Sequence, residues 1–263
     1  MMMTTTIAGR LKRFGLGASG ILAFFALWQL VTMTQLIPRS LVPPPTKVFE
    51  VFFTNLVEGK LTDPTLFSLS NVALGLALAI AVGITLGFVV GLYLRRSERV
   101  FLPFFRICEK LNPFALFPIF IILFGIARLE KVMVVFWVSL WPLLFATVDG
   151  AHNLERPLLK SARSMGAKRG KLLFKVILPL MLPSIFSGLK LSATLAFFMI
   201  IASEMVGANN GLGWLYLVAN HAYNLPLMYG IILFITLLAI LINVLFSFIE
   251  RRFQLWKPSA SFE

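Results

Sequence analysis

Few side chains in this sequence could do chemistry, and their positions limit what it could be. The switchable or metal-binding groups are two histidines, His152 and His221, and one cysteine, Cys108. Zinc takes four protein ligands at structural sites and three at catalytic ones. No paired-cysteine, HExxH or nucleophile-elbow spacing occurs to supply them. Cys108 can form no disulfide within the chain and reads as a small apolar residue. The run Gly166-Ala167-Lys168-Arg169-Gly170-Lys171 comes near a phosphate-binding loop, but it has one residue too few between its glycines. Leu172 also stands where a Ser or Thr would hold magnesium. The chain is therefore expected to hold no nucleotide, metal or cofactor of its own. Ion-coupled transport would need ionisable groups inside membrane spans. Glu204, in Ala202-Ser203-Glu204-Met205-Val206, is the best placed, whereas Glu109 and Asp149 fall at span ends where solvation or capping accounts for them. One acid is thin support for an ion-coupled carrier.

The elements that must position these groups follow from composition. Of 263 residues, 59% are hydrophobic and 13% charged, against about 25% charged in soluble domains, so the chain is a membrane protein. Spans of about 20 apolar residues are expected at six places: Phe14–Ile37, Leu69–Leu94, Leu111–Ala127, Val132–Asp149, Ile185–Val206 and Leu227–Ile249. The third is the weakest, being interrupted by Asn112, Pro113 and Pro118. The first is longer than a signal-peptide core and ends in Ile37-Pro38-Arg39 without a small-residue cleavage site, so it reads as a retained helix.

The net charge of +13 could suggest nucleic acid, but position explains it better. Arg10, Lys12 and Arg13 precede the first span, and Arg95, Arg96, Arg99, Arg106 and Lys110 separate the second from the third. Arg156, Lys160, Arg163, Lys168, Arg169, Lys171 and Lys175 lie between the fourth and fifth, and Arg251, Arg252 and Lys257 follow the sixth. These are eighteen cations on one side against five on the other: Arg39, Lys47, Lys60, Arg128 and Lys131. Basic loops mark the cytoplasmic face, so both termini are inside, the span number is even, and no nucleic-acid partner is implied.

No linker, repeat or low-complexity tract divides residues 1–263, which read as a single membrane domain. In the outer loop, Val48, Phe52 and Leu56 stand at helical spacing after the stiff Pro43-Pro44-Pro45. In the second span Gly75, Gly83, Gly87 and Gly91 permit close helix packing. The inner loop at about 152–183 carries a short amphipathic helix, with Leu158, Ala162 and Met165 on one face and Arg156, Lys160 and Arg163 on another. It stops at Gly166. Lys171 and Lys175 follow against Leu172, Leu173 and Val176, and Pro179 and Pro183 are expected to re-aim the chain into the fifth span. Such a helix either rests on the inner membrane surface or docks into a groove on a soluble partner.

That loop resembles a known signature. Lys160-Ser161-Ala162-Arg163-Ser164-Met165-Gly166, followed by Val176-Ile177-Leu178-Pro179, is similar to the Glu-Ala-Ala-x₃-Gly-x₉-Ile-x-Leu-Pro loop of binding-protein-dependent ABC importer permeases. Ala162, Gly166, Leu178 and Pro179 match; Lys160 stands for the Glu, Ser161 for the first Ala and Val176 for the Ile. Ser203-Glu204-Met205-Val206-Gly207-Ala208-Asn209-Asn210-Gly211-Leu212-Gly213-Trp214-Leu215 looks like the segment after the fifth span in nitrate/sulfonate/taurine-type permeases, as do Val42-Pro43-Pro44-Pro45 and Phe124-Gly125-Ile126.

The resemblance implies an all-α, six-span permease of the type I importer fold in a bacterial inner membrane. It implies a second, identical copy beside it, a cytoplasmic ABC ATPase dimer carrying ATP and magnesium, and an extracytoplasmic binding protein. The loop would be the ATPase-coupling element. The substrate class would be an aliphatic sulfonate, taurine or nitrate, with a pyrimidine, thiamine or riboflavin precursor as the alternative and an ion-coupled carrier as the rival of another class. Ser203, Glu204, Asn209 and Asn210 are candidates for the translocation pathway. Glu204 could instead cap structure at the interface. Its direct pairing with Lys190 is not expected, because fourteen residues of helix at about 1.5 Å each separate them.

Overall fold

Apolar helices in a bilayer gain little by hiding from lipid against one another, so what draws them together is close packing, which favours small side chains. The computed structural model describes residues 19–20, 22–34, 41–94, 98–154, 156–166 and 168–254, and these are helical without a strand among them. In order they are α1 (Leu22–Met33), α2 (Pro45–Val57), α3 (Thr62–Phe88), α4 (Glu98–Glu109), α5 (Pro113–Phe124), α6 (Arg128–His152), α7 (Arg156–Ser164), α8 (Arg169–Leu172), α9 (Leu178–Glu204), α10 (Leu212–His221) and α11 (Leu225–Gln254). Among the described residues, four helical runs are long and apolar enough to cross a membrane: Thr62–Leu92, Arg128–His152, Gly170–Glu204 and Leu225–Arg252. The expected first span lies partly outside the described residues, which contain only α1 of it.

The described helices fall into two units. The first takes α1, α2 and residues Tyr216–Phe234. Here Pro45 starts α2, where a missing N–H costs nothing. Val48 and Phe52 are buried as their spacing suggested, whereas Leu56 is exposed. Phe25 meets Phe49, Trp28 meets Tyr229 and Phe52 meets Phe234 at ring distances of 5.6, 6.0 and 6.3 Å.

The second unit holds Thr62–Leu215 and the chain from Ile235 onward, with α6 at its centre. Val134, Val135, Leu143, Leu144 and Val148 are almost completely buried. The glycine stripe of α3 and its π-turn extension (Val89–Tyr93) lies against α6. A Cβ added to Gly75 would meet Val135; on Gly83, Gly87 and Gly91 it would meet Leu140, Thr147 and Ala151. On the other side α9 approaches through Gly188, which lies against Ala146 and the Pro142 carbonyl. Ser139 and Ser192 bond reciprocally, each hydroxyl donating to the other's carbonyl at 3.4 and 2.7 Å. Gly87→Ala would place its Cβ 2.5 Å from Thr147 Cβ. It should therefore lower the apparent melting temperature in detergent, at about 1–3 kcal/mol for overpacking. Gly20→Ala, with nothing within 4 Å, should leave it unchanged.

Two expectations are corrected. The third apolar run is half of a bent pair: Arg99–Glu109 and Pro113–Phe124 meet at 89°. Asn112 is responsible, since its Oδ1 accepts from Phe114 N at 3.0 Å and starts α5 with Pro113 in the first turn. Pro118 is carried inside α5. Pro179 and Pro183 do not re-aim the chain, because Gly170–Glu204 is one helical run of 35 residues. A π-turn at Leu173–Ile177 runs straight into α9, Leu178 N bonding to Leu173 O, and the run accommodates Pro179 just after that turn and Pro183 inside α9.

Candidate functional site

Two regions of the second unit gather the candidate residues, at opposite ends of the same two helices. The first is a buried polar cluster where α3 starts, α6 starts, α9 ends and α10 begins. A helix start leaves N–H groups without intrahelical partners. Those of α10 are captured from outside it: Leu212 N donates to Ser68 Oγ at 3.0 Å and Gly213 N to Glu204 Oε2 at 3.0 Å. Ser68 Oγ in turn donates to Glu204 Oε2 at 2.8 Å. Ser68 and Glu204 are fully buried, so a carboxylate from one helix caps the positive end of another.

Only glycine allows this approach. Gly211 has φ +113°, and a Cβ there would strike the Glu204 carboxylate; a Cβ on Gly213 would strike the Ile201 carbonyl. Beside it, Lys131 Nζ pairs with Glu130 Oε2 at 2.6 Å and donates to Val206 O at 3.3 Å, supplying a cation to the C-terminal end of α9. Ser203 Oγ donates to Glu130 Oε1 at 3.1 Å. Arg128 donates to Asn71 Oδ1 at 2.8 Å and Ser70 Oγ at 2.7 Å, tying the first turn of α6 to α3.

Of the four pathway candidates, Ser203 and Glu204 turn into this cluster. Asn210 is half-buried and accepts from Gly211 N at 2.7 Å, and Asn209 is exposed. Lys190 pairs with Glu250 at 3.3 Å and not with Glu204. Sequence reasoning missed Ser68, Asn71 and Glu130, and it placed Arg128 and Lys131 in a loop when they form the first turn of α6. The available signal was the charged run Arg128-Leu129-Glu130-Lys131 directly before an apolar stretch.

The second region is the inner loop strung between α6 and α9. α7 ends as expected at Gly166, whose φ of +77° lies in the left-handed region, with Met165 N bonding Ser161 O at 3.1 Å. Leu159 and Ala162 pack against the cluster of Ala151, Leu172 and Ile177. Met165, which periodicity groups with Leu158 and Ala162, stands 87% exposed beyond the last helical residue, Ser164. The Leu158 side chain lies outside the described residues. Lys160, Ser161 and Gly166 are exposed; Val176, Leu178 and Pro179 are half-buried on the helix that leads into α9.

Residues 83–255 match the model of the family described as binding-protein-dependent transport system inner membrane component. The chain belongs to that family. It is a permease subunit of an ABC importer and a multi-pass membrane protein. Among proteins similar to this permease is a putative aliphatic sulfonates transport permease of Escherichia coli, 31% identical over 89% of both chains. The taurine transport system permease of the same organism is 26% identical over 93% of this chain and 90% of its own. A probable ABC transporter permease of Brucella abortus is 29% identical over 95% and 99%. A chain of the MetNI methionine ABC transporter in an inward facing conformation superposes with a TM-score of 0.63. It covers 72% of this permease and 93% of that chain at 17% identity, which speaks for the fold alone. The family match takes in the inner loop, α6, α9 and the start of α10. Ser68 and Asn71, which complete the buried cluster, lie before it.

Proposed function

We propose that this permease, paired with a second copy, forms the pathway for a small organic sulfonate or taurine delivered by an extracytoplasmic binding protein. Import is driven by ATP and magnesium on a cytoplasmic ATPase dimer docked on residues 152–183. All 263 residues serve as one six-span domain, with α1 within the first span, α5 within the third and both termini inside, which agrees with the cation distribution.

One observation carries the coupling reading. α6 and α9 join the inner loop at one end to the buried cluster at the other, and the Ser139–Ser192 pair clasps them between. A displacement of Lys160, Ser161, Ala162 and Gly166 by the ATPase therefore acts on a rigid two-helix lever, with Val176, Leu178 and Pro179 as its root. At the far end Ser203 and Glu204 hold the 205–213 segment in place, and Asn209 and Asn210 face the pathway or the docked binding protein.

Gly166→Leu tests this. A side chain there meets open space but requires a left-handed backbone, so the substitution should distort the loop tip and leave insertion intact. Uptake is expected to fall by about 5–150-fold while ATP hydrolysis continues. Normal uptake in that variant would reject the coupling role.

The sulfonate reading is supported by the names of the taurine and aliphatic sulfonate relatives. It is tested by melting the captured binding protein with taurine, ethanesulfonate, nitrate and flat heterocycles. A stabilisation specific to a heterocycle would move this importer to the vitamin-precursor class.

A further inference from the structure

Between Arg156 and Lys175 the sequence carries seven cations and no acid, and the next carboxylate along the chain is Glu204. Several cations elsewhere have acids beside them: Lys60 with Glu58, Arg106 and Lys110 with Glu109, Lys190 with Glu250. Lys160, Lys168, Lys171 and Lys175 are all exposed, and among the described residues none of them is paired with an acid. Lys160 and Arg163 also stand three apart on α7, a spacing at which like charges weaken a helix. A single-signed surface of this kind is self-repelling until an opposite charge covers it. Met165, 87% exposed, projects from its tip.

We propose that this loop docks on an acidic-rimmed apolar pocket of the ATP-hydrolysing subunit, Met165 entering the pocket and Lys160, Lys168, Lys171 and Lys175 meeting carboxylates around it. This rests on the reading of 152–183 as the coupling loop. It adds that the partner cleft carries the opposite charge from one evolved to receive the signature glutamate, whose place Lys160 takes. Anionic lipid headgroups would also attract lysines, but a helix lying on a bilayer keeps its apolar face free to enter it. Here Leu159 and Ala162 are packed on the protein's own core and are not free to enter a bilayer, while Met165 and Phe174 are exposed.

The test uses full-length permease, affinity-purified in mild detergent from its native membranes together with the ATP-hydrolysing subunit that accompanies it. ATPase activity retained on the resin is measured against rising NaCl. Retention should fall steadily with salt. The triple variant Lys160→Glu, Lys168→Glu, Lys171→Glu should lower it at least about tenfold, equivalent to about 1.4 kcal/mol, with the same amount of permease in the membrane. Met165→Ser should lower it too, with a salt dependence like that of the unaltered protein. If the triple variant fails to reach the membrane, Lys160→Glu alone decides, by the slope of its salt response.

Unchanged retention in the charge variants, with uptake still lost in Gly166→Leu, would overturn the acidic rim and leave the coupling loop standing. Full retention together with full uptake in Gly166→Leu would remove the coupling reading itself. Loss of retention that phosphatidylglycerol vesicles restore, and phosphatidylcholine vesicles do not, would assign the lysines to lipid and overturn the proposal.

Discussion

Lys131→Met is expected to cost about 3–5 kcal/mol, the penalty for stranding one member of a buried ion pair. Little of that variant should remain folded in the membrane. Lys131 and Glu130 have side-chain exposures of 3% and 1%, and their charged atoms stand 2.6 Å apart. Removing the ammonium leaves the Glu130 carboxylate with the Ser203 hydroxyl at 3.1 Å and deprives the Val206 carbonyl of its donor. The double change Glu130→Gln, Lys131→Met removes both charges, and a buried pair replaced as a unit is often nearly neutral. The double variant should therefore recover most of the stability lost in the single one. Membrane yield and apparent melting temperature of the three proteins provide the check. Equal stability of Lys131→Met and the unaltered protein would mean that the pair contributes nothing to holding α6 against the end of α9.

The same pair explains how the cluster could serve transport while being closed to solvent. Glu130 and Lys131 belong to the first turn of α6, and Ser203, Glu204 and the Val206 carbonyl to the end of α9. Each bond between them makes the far ends of the two helices move as one. Midway, the Ser139–Ser192 exchange does the same, and below it Gly188 brings the backbones together at the Pro142 carbonyl. The proposed lever needs stiffness along its whole length, and paired polar groups and small residues can supply it in an environment without a hydrophobic driving force.

Much of this was legible in the sequence. The glycines of α3 announced a close helix contact, though not that α6 was the partner. Periodicity names the face of a helix but never the neighbour across it. Gly166 announced the end of α7, because a left-handed backbone there favours one residue type. Periodicity grouped Met165 with Ala162, but the two part company in the fold, Ala162 packing on the core and Met165 standing exposed after the helix ends at Ser164. Pro179 misled in the other direction. Proline costs a helix interior one backbone bond, yet Pro118, Pro142 and Pro183 are carried inside α5, α6 and α9, and the π-turn ahead of Pro179 leaves no mark in composition. Glu204 was visible as an unusual acid, yet its partners Ser68 and Gly213 come from elements that only tertiary packing brings to it. The pair at Glu130 and Lys131 was hidden by a counting rule that treats every cation between spans as solvated.

Gly213→Val should abolish transport even though no pathway atom is altered. In a protein whose α10 began in open space the change would be mild, since valine is tolerated in a helix at well under about 1 kcal/mol. Here the first turn of α10 rests directly on the last turn of α9. A Cβ at Gly213 would strike the Ile201 carbonyl and lie 2.9 Å from Glu204 Cβ. Neither is the far end of a flexible side chain, so neither can swing aside, and α10 must lift. Lifting breaks the Gly213 N–H bond to Glu204 and draws Leu212 N from Ser68 Oγ, leaving a buried carboxylate short of donors. The expected loss is about 1–3 kcal/mol for each unsatisfied group and a further 1–3 kcal/mol, roughly, for the overpacked contact. Uptake by reconstituted vesicles should vanish, while the ATPase subunit still co-purifies, because the inner loop is untouched. Gly20→Val, at a glycine with nothing within 4 Å and far along the chain from the inner loop, is the control for substitution itself. Uptake by Gly213→Val at the unaltered rate would show that the α9–α10 contact gives way without consequence. The buried cluster would then be a brace for folding and not the far end of the lever.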